Sequence, residues 1–410
     1  MRINSKQLNL FATLIMIVGY FSIREFGGFY LQIWKLLFYF YFGIVACNIL
    51  RHKDIKMQKS KYIWIVGITI LFSLATLPLS KTHTTNSINM LRQYGTIIVY
   101  SLSLYVMIDI RENFRQLLSA LFVGGVIAAI YQISRIDMRA LSSATASLLL
   151  RTSVSEHIHV NTHGYNLFFS FAAGMYLWIT SKNEKNARKI GKILSAVGVF
   201  LIVLGIFFTG ARKEIVCVAL LVSMLLVTGK YKVLKVFSVI TILIISYQAL
   251  LHVPALYNTV GWRLEQADIM DKSSEGRIDL IVDAVNTGIN HPLGVGLDNS
   301  RYYSSTEEDY AHNNYAEFFA DLGILGFISY YGVYVFFLVN LWKIHRKQDG
   351  FESKYWLALF VNICVHDFFQ ISYYRFCYHL ALLMIGEFVL SESRNTKNWV
   401  GGIRNERLGD

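Results

Sequence analysis

Long apolar blocks, separated by short polar and mostly basic stretches, run the length of the chain. The blocks are about 16 to 25 residues long, the length an α-helix needs to cross a bilayer core of ~30 Å. Twelve can be placed, at roughly 7–22, 29–50, 62–79, 88–109, 114–133, 163–180, 190–208, 214–228, 233–251, 316–341, 355–372 and 376–391. The pattern predicts an all-α integral membrane protein with about twelve transmembrane helices. It divides the chain into spans one to nine over 1–251, a long polar loop over 252–315, and spans ten to twelve with a tail over 316–410. No internal repeat or low-complexity segment is visible.

The polar stretches alternate in charge. "RHKDIKMQKSK", "RENFR", "SKNEKNARK", "GKYKVLK", "WKIHRKQDGFESK" and the tail "SRNTKNWVGGIRNERLGD" are nearly all rich in Lys and Arg, whereas "REFGG", "KTHTTNS" and "YYR" carry one basic residue each. Lys and Arg concentrate in cytoplasmic loops, so both termini are expected in the cytoplasm; an odd span count would put the basic tail outside. The start, "MRINSKQLNLFATLIMIVGYF", lacks a small-residue cleavage site and reads as a retained first span. Two expected outer segments are long, 134–162 and 252–315. In the second, "RIDLIVDAVNTG" places Ile278, Leu280, Ile281, Val282 and Val285 as the apolar positions of a short helix at the outer interface. "HPLGVGLDN" follows as a glycine-rich turn.

Composition agrees. Of 410 residues 54% are hydrophobic and 15% aromatic, and the mean hydropathy is +0.42, more apolar than a soluble chain of this length. A net charge of +12 would suggest a nucleic-acid partner in a soluble protein. Here the basic residues sit between the apolar blocks, so topology explains them and no nucleic acid is expected. Cys47, Cys217, Cys364 and Cys377 all lie within apolar blocks, without metal-ligand spacing or a loop position suited to a disulfide. There is no Gly-x-x-x-x-Gly-Lys loop for nucleotide hydrolysis, no Asp-x-Asp in the outer loops and no recognisable Ser-His-Asp spacing. No cofactor or metal is expected.

The informative residues are those that membrane topology does not account for. "YAHNNYAEFFADLGILGF" (310–327) puts His312, Asn313, Asn314, Glu317 and Asp321 at the mouth of an apolar span. Asn313, Glu317 and Asp321 fall at i, i+4 and i+8, one helix face, which should point into the protein. Asn314 with Glu317 also fits a capping box; that explains these two but not His312 or Asp321. Arg212 and Lys213, in "FFTGARKEIV", occupy a very short outer hairpin, where they either snorkel to the interface or serve a function. Arg263 in "GWRLEQ" and Arg277 in "SSEGRIDLI" lie in the long outer loop, where a solvated surface role suffices for either one alone.

Taken in order, "HVNTHGYNLFFSF", "TGARKEIVCVALLV", "SSEGRIDLIVDAVNTGINHPLGVGLDN" and "AHNNYAEFFADLGILGF" resemble the O-antigen polymerase and O-antigen ligase superfamily of bacterial membrane glycosyltransferases. Specific similarity covers roughly 160–330. The resemblance implies an enzyme of the cytoplasmic membrane, with its active site on the outer face, that moves a glycan from undecaprenyl pyrophosphate to an acceptor hydroxyl. It makes Arg212 and Arg277 the pyrophosphate-binding residues and His312 the catalytic histidine. Lys213, Arg263, Asn313, Asn314, Glu317 and Asp321 would support them. Tyr310 stands near the motif where some relatives have a second histidine, so chemistry needing that second base is not implied. The implied partners are the lipid-linked oligosaccharide donor and acceptor, membrane lipid and a chain-length regulator.

The chemistry is consistent. Without a metal, a pyrophosphate leaving group in a low-dielectric setting needs fixed cations, and arginine offers a planar fork of donors to phosphate oxygens. A neutral imidazole can take the proton of a sugar hydroxyl, an effect typically worth ~100–10,000-fold. Glu317 or Asp321 would orient the imidazole and the Asn pair would position sugar hydroxyls. The expected function is polymerisation of repeat units for capsule, exopolysaccharide or O-antigen. A ligase delivering glycan to lipid A-core or another acceptor shares the same motifs. A lipid-linked oligosaccharide flippase fits twelve spans but is disfavoured by the absence of a repeat and by the gathering of polar residues at one outer face.

Overall fold

A computed structural model describes residues 5–51, 61–136, 159–181, 187–226, 272–304, 310–348 and 350–406, with isolated positions 241, 248, 252–254 and 257. The expected span 233–251, Arg263 and most of the segment 134–162 lie outside the described residues. Within them every regular element is helical: α1 (Ser5–Phe21), α2 (Gly28–Arg51), α3 (Tyr62–Thr76), α4 (Thr84–Met107), α5 (Phe114–Ser134), α6 (Val160–Thr180), α7 (Ala187–Thr209), α8 (Arg212–Leu226), α9 (Lys272–Asn290), α10 (Asn314–Gln348), α11 (Phe351–Asp367) and α12 (Phe376–Glu406). One turn of helix, Ile23–Phe26, joins α1 to α2, and 3-10 turns cover Leu77–His83 and Ser300–Tyr303.

Each apolar block that falls on described residues coincides with a helix. Seven helices among the described residues are long and apolar enough to cross a membrane: α1 with its extension to Phe26, α2, α3 with the turn after it, α5, α7, α10 and α12. Helices α8 and α11 are shorter, at 15 and 17 residues, and α4 and α6 are less apolar. The protein is therefore an all-α integral membrane protein. The short helix expected around 278–285 is present as α9, 19 residues long.

Compactness groups the helices into two units, the first built from 1–55, 106–108 and 113–271, the second from 56–105, 109–112 and 272–410. In the first unit α5 packs against α1, α6 and α7. Small residues permit this: a Cβ on Gly125 would collide with the Ser170 side chain of α6, the close-approach device common between membrane helices. Large apolar side chains stand exposed on α2 (Phe29, Leu36, Tyr39, Phe40) and on α7 (Ile190, Ile193, Leu194, Phe200), while Glu25, Gln132, His163, Asn166 and Glu214 are buried. Polar groups inside and apolar groups outside suit a lipid solvent.

In the second unit α10 packs against α3, α9, α11 and α12. The sequence predicts one continuous helix over 316–341, and here the structure differs. Gly323, at φ 70° and ψ 178°, breaks α10 into 314–322 and 324–348. A broken helix frees backbone groups that need partners, and the glycine turn 291–299 supplies them. Val295 N–H donates to Ala320 O and Gly296 N–H to Asp321 O, both at 3.1 Å, while Ile324 N–H donates to Pro292 O at 3.0 Å. The turn can approach this closely because Gly294 (φ 91°) and Gly323 lack side chains. A Cβ on Gly294 would lie 2.5 Å from Asp321 O, and one on Gly323 2.5 Å from Pro292 O.

Candidate functional site

The stretch 310–317 is fixed from both ends. His312 adopts φ 52°, a left-handed conformation uncommon for a side-chain-bearing residue. Asn313 follows and caps α10: its Oδ1 accepts from Tyr315 N–H at 2.9 Å and Ala316 N–H at 3.0 Å. This corrects the capping box expected from Asn314 and Glu317. Helix α10 begins one residue too early for that pairing, so Asn313 is the cap and Asn314 already lies in the first turn. Asn314 is fully buried; it donates to Tyr331 Oη at 3.1 Å and accepts from Ser372 N–H at 3.3 Å. Glu317, also fully buried, does reach back past the helix start, but to Ala311 N–H at 3.1 Å.

Asn313, Glu317 and Asp321 all face inward, as their spacing implies. Asp321 is taken up by the glycine turn. Its Oδ2 accepts from Asp298 N–H at 2.5 Å, and its Oδ1 from Asn299 N–H at 3.2 Å and Ser300 N–H at 2.9 Å.

A further wall comes from the chain between α11 and α12. Asn313 Nδ2 donates to Phe368 O at 3.3 Å and Tyr315 Oη to Cys364 O at 3.0 Å. Asp367 is fully buried and accepts from Ser372 Oγ and, at 3.1 Å, from Tyr334 Oη; Tyr334 and Tyr330 both hydrogen-bond Tyr378. The apolar pattern predicts a span to 372 and leaves only "YYR" as loop, whereas α11 ends at Asp367. The signal that could have found this segment is the run His366, Asp367, Gln370 and Ser372 inside an otherwise apolar block.

His312 itself is half-exposed, and its ring lies 4.1 Å from that of Tyr310. The Arg301 guanidinium stands over the same Tyr310 ring, 5.7 Å from its centroid, and forms an ion pair with Asp298. Asn86 Nδ2 fixes Asp298 in turn, donating to its Oδ2 at 3.2 Å and its carbonyl at 2.7 Å. Burial pushes the Asp298 carboxyl above its ordinary range against the opposing pull of Arg301 and Asn86. Burial alone would lower the Arg301 guanidinium, but Asp298, with Glu317 and Asp321 further off, holds it above its ordinary value. In the sequence Arg301 is one more basic residue of a polar loop, with nothing to mark it out.

Arg277 is exposed on α9 and shares a helix face with Ile281 and Val285, four and eight residues on. Those two residues, with Asn313, Tyr315, Ala316, Phe319 and Phe327, line a cavity of about 350 Å³, so α9 and the start of α10 border the same apolar hollow.

Arg212 and Lys213 belong to the first unit. They open α8 directly after a turn at Gly210 (φ 63°), in which Thr209 Oγ1 accepts from Ala211 N–H at 3.2 Å. Both are half-buried. Lys213 Nζ lies 3.9 Å from Glu214 Oε1, and Glu214 is fully buried. Gly164 of α6 is packed against this turn, where a Cβ would come within 3.0 Å of Glu214 Cγ. Its neighbour His163 hydrogen-bonds Glu25 Oε2 at 2.5 Å and Gln132 Oε1 at 3.0 Å, and Asn166 donates to Glu25 Oε1 at 2.5 Å. The stretch "HVNTHGYN" thus contributes a buried polar cluster. Its carboxylate, Glu25, sits in "REFGG", which the charge pattern predicts to be a short outer loop.

An O-antigen ligase family model matches residues 197–331, about a third of the chain. The match takes in Arg212, Arg277, the glycine turn, His312 and the break at Gly323. No curated protein matches the chain. Over residues 197–331 the chain is similar to the O-antigen ligase family, which supports the resemblance to the O-antigen polymerase and ligase superfamily of membrane glycosyltransferases.

Proposed function

We propose that the protein is a metal-independent polymerase that joins undecaprenyl-pyrophosphate-linked oligosaccharide repeat units on the outer face of the bacterial cytoplasmic membrane. In this reading the bond between the donor's anomeric carbon and the pyrophosphate oxygen breaks. A hydroxyl of the acceptor unit forms the new glycosidic bond, its proton passes to the His312 imidazole, and undecaprenyl pyrophosphate departs with its charge held by Arg212 and Arg277. Asn86 and Asp298 supplement the residues the sequence suggested, by anchoring the polar wall beside Tyr310. The products are capsule, exopolysaccharide or O-antigen chains, and a separate chain-length regulator is the expected partner.

The observation that carries the reading is His312 itself. It is accessible, yet the residues on both sides are pinned: Ala311 by Glu317, and Asn313 by the helix it caps and by Phe368 O. A rigid support around an accessible imidazole is what proton transfer at a fixed geometry requires. Ligase activity, with lipid A-core or another molecule as acceptor, is the second reading, and the description of the matching family favours it. Purified protein given lipid-linked repeat units separates the two. A polymerase makes a ladder of products from that single substrate, whereas a ligase leaves it unextended until a terminal acceptor is added. A flippase is less well supported, because the interruption of α10 is filled by the protein's own turn.

A further inference from the structure

Three carboxylates, Asp298, Glu317 and Asp321, are buried around the His312 stretch. Glu317 takes the N–H of the residue immediately before the histidine. Carboxylates near an imidazole favour its protonated form to the extent that they are ionised, and an imidazolium cannot accept a proton from an acceptor hydroxyl. A transfer site built this way needs a compensating cation, and the structure places one. Arg301 leaves the 3-10 turn Ser300–Tyr303, pairs with Asp298, and lies over the ring of Tyr310, which in turn packs on His312. It is held there from both sides: Asn86 fixes Asp298, and Asp321 fixes the backbone of 298–300.

We propose that Arg301 is a positioning residue of the transfer site, a fixed cation that offsets the buried carboxylates and keeps His312 neutral and able to act as a base. The inference rests on the reading of His312 as the base. Other charged or titratable groups on the elements packed around this stretch are Arg277, Asp279 and Asp283 on α9, which packs on Ala311 and Ala316, and His291 after it; His366, Asp367 and Arg375 at the segment that receives the Asn313 amide; and Lys81 and His83 on the 3-10 turn Leu77–His83, where His83 stacks on Tyr302 at 3.7 Å. Arg301 is distinguished from these by its direct seat on the ring that covers His312.

The test reads the protonation of His312 without relying on catalysis. Diethyl pyrocarbonate reacts with neutral but not with protonated imidazole, and peptide mass spectrometry follows the modification of His312 itself against pH in the detergent-solubilised full chain. In Arg301→Gln the midpoint for His312 should move up by roughly one pH unit. In Arg301→Lys it should stay near the wild-type value, and His345, on the far end of α10, should not move in either. Asp298→Asn removes a negative charge while retaining Arg301, so there the midpoint should fall; this variant carries the test if Arg301→Gln does not fold. The acid limb of the transfer rate should move in parallel with the labelling midpoint. An unchanged midpoint in Arg301→Gln, or an unchanged or raised one in Asp298→Asn, overturns the proposal. If instead His312→Ala retains transfer, it is the base assignment that fails, and the labelling midpoints still decide whether Arg301 controls the imidazole.

Discussion

His312 and Asn313 are adjacent, yet their side chains do separable work. Asn313 takes two of the free amides at the start of α10, so Asn313→Ala should cost ~0.5–2 kcal/mol of stability. That loss should appear as a lower melting temperature in detergent, with transfer slowed but not abolished in the molecules that remain folded, since Asn313 also pins the backbone beside His312. The arginines make a second residue-scale prediction. Arg212→Ala and Arg277→Ala should each abolish transfer without removing the protein from the membrane, and lysine should rescue poorly because a point charge cannot reproduce two-pronged phosphate contacts. Transfer assays at sub-saturating donor check this, and full activity in either alanine variant would mark that residue as a surface or snorkelling arginine. At this scale the sequence showed which residue types mattered better than which partner each had. Two consecutive asparagines offer two capping registers, and only the true start of the helix chooses between them. Glu25 was hidden because its partners, His163 and Asn166, lie far away in sequence; Arg301 has its partners within ten residues, but only the folded turn brings it over Tyr310.

The break in α10 is the feature of the second unit most easily tested at the scale of elements. Gly323 and Gly294 hold positive φ values and lie against each other's backbones. Gly323→Ala and Gly294→Ala should therefore each destabilise the protein by roughly 1–3 kcal/mol, through backbone strain and collision. Gly332, further along α10 with open space around its Cα, is the control; alanine there should be neutral or mildly stabilising, since alanine favours helix by about 1 kcal/mol over glycine. Thermal unfolding of the three variants checks this, and a Gly323→Ala protein that melts like wild type would contradict the docking of turn 291–299 into the break. The helices themselves were legible, because an apolar block long enough to span a bilayer has few other ways to satisfy its backbone. The interruption was not. "ADLGILGF" reads as continuous helix unless the turn that replaces its hydrogen bonds is known, and that turn lies about thirty residues upstream.

At the scale of the whole molecule, the compact units do not follow chain order. Helices α3 and α4 belong with α9 to α12, whereas α1 and α2 belong with α5 to α8, a grouping that hydropathy alone does not encode. Orientation in the membrane rests on the charge of the loops. In a protein stripped of its native cysteines, a cysteine at Ser304 should react with an impermeant reagent on intact cells, and one at Ser393 should not; the opposite labelling would overturn the assigned sidedness. The most direct test of the central claim combines donor binding with product analysis. Purified wild-type protein and His312→Ala are each given lipid-linked repeat units, and both bound donor and product length are measured. The account predicts a ladder of glycans from the wild type, and from His312→Ala undiminished donor binding with no product. A His312→Ala protein that still builds the ladder would contradict it.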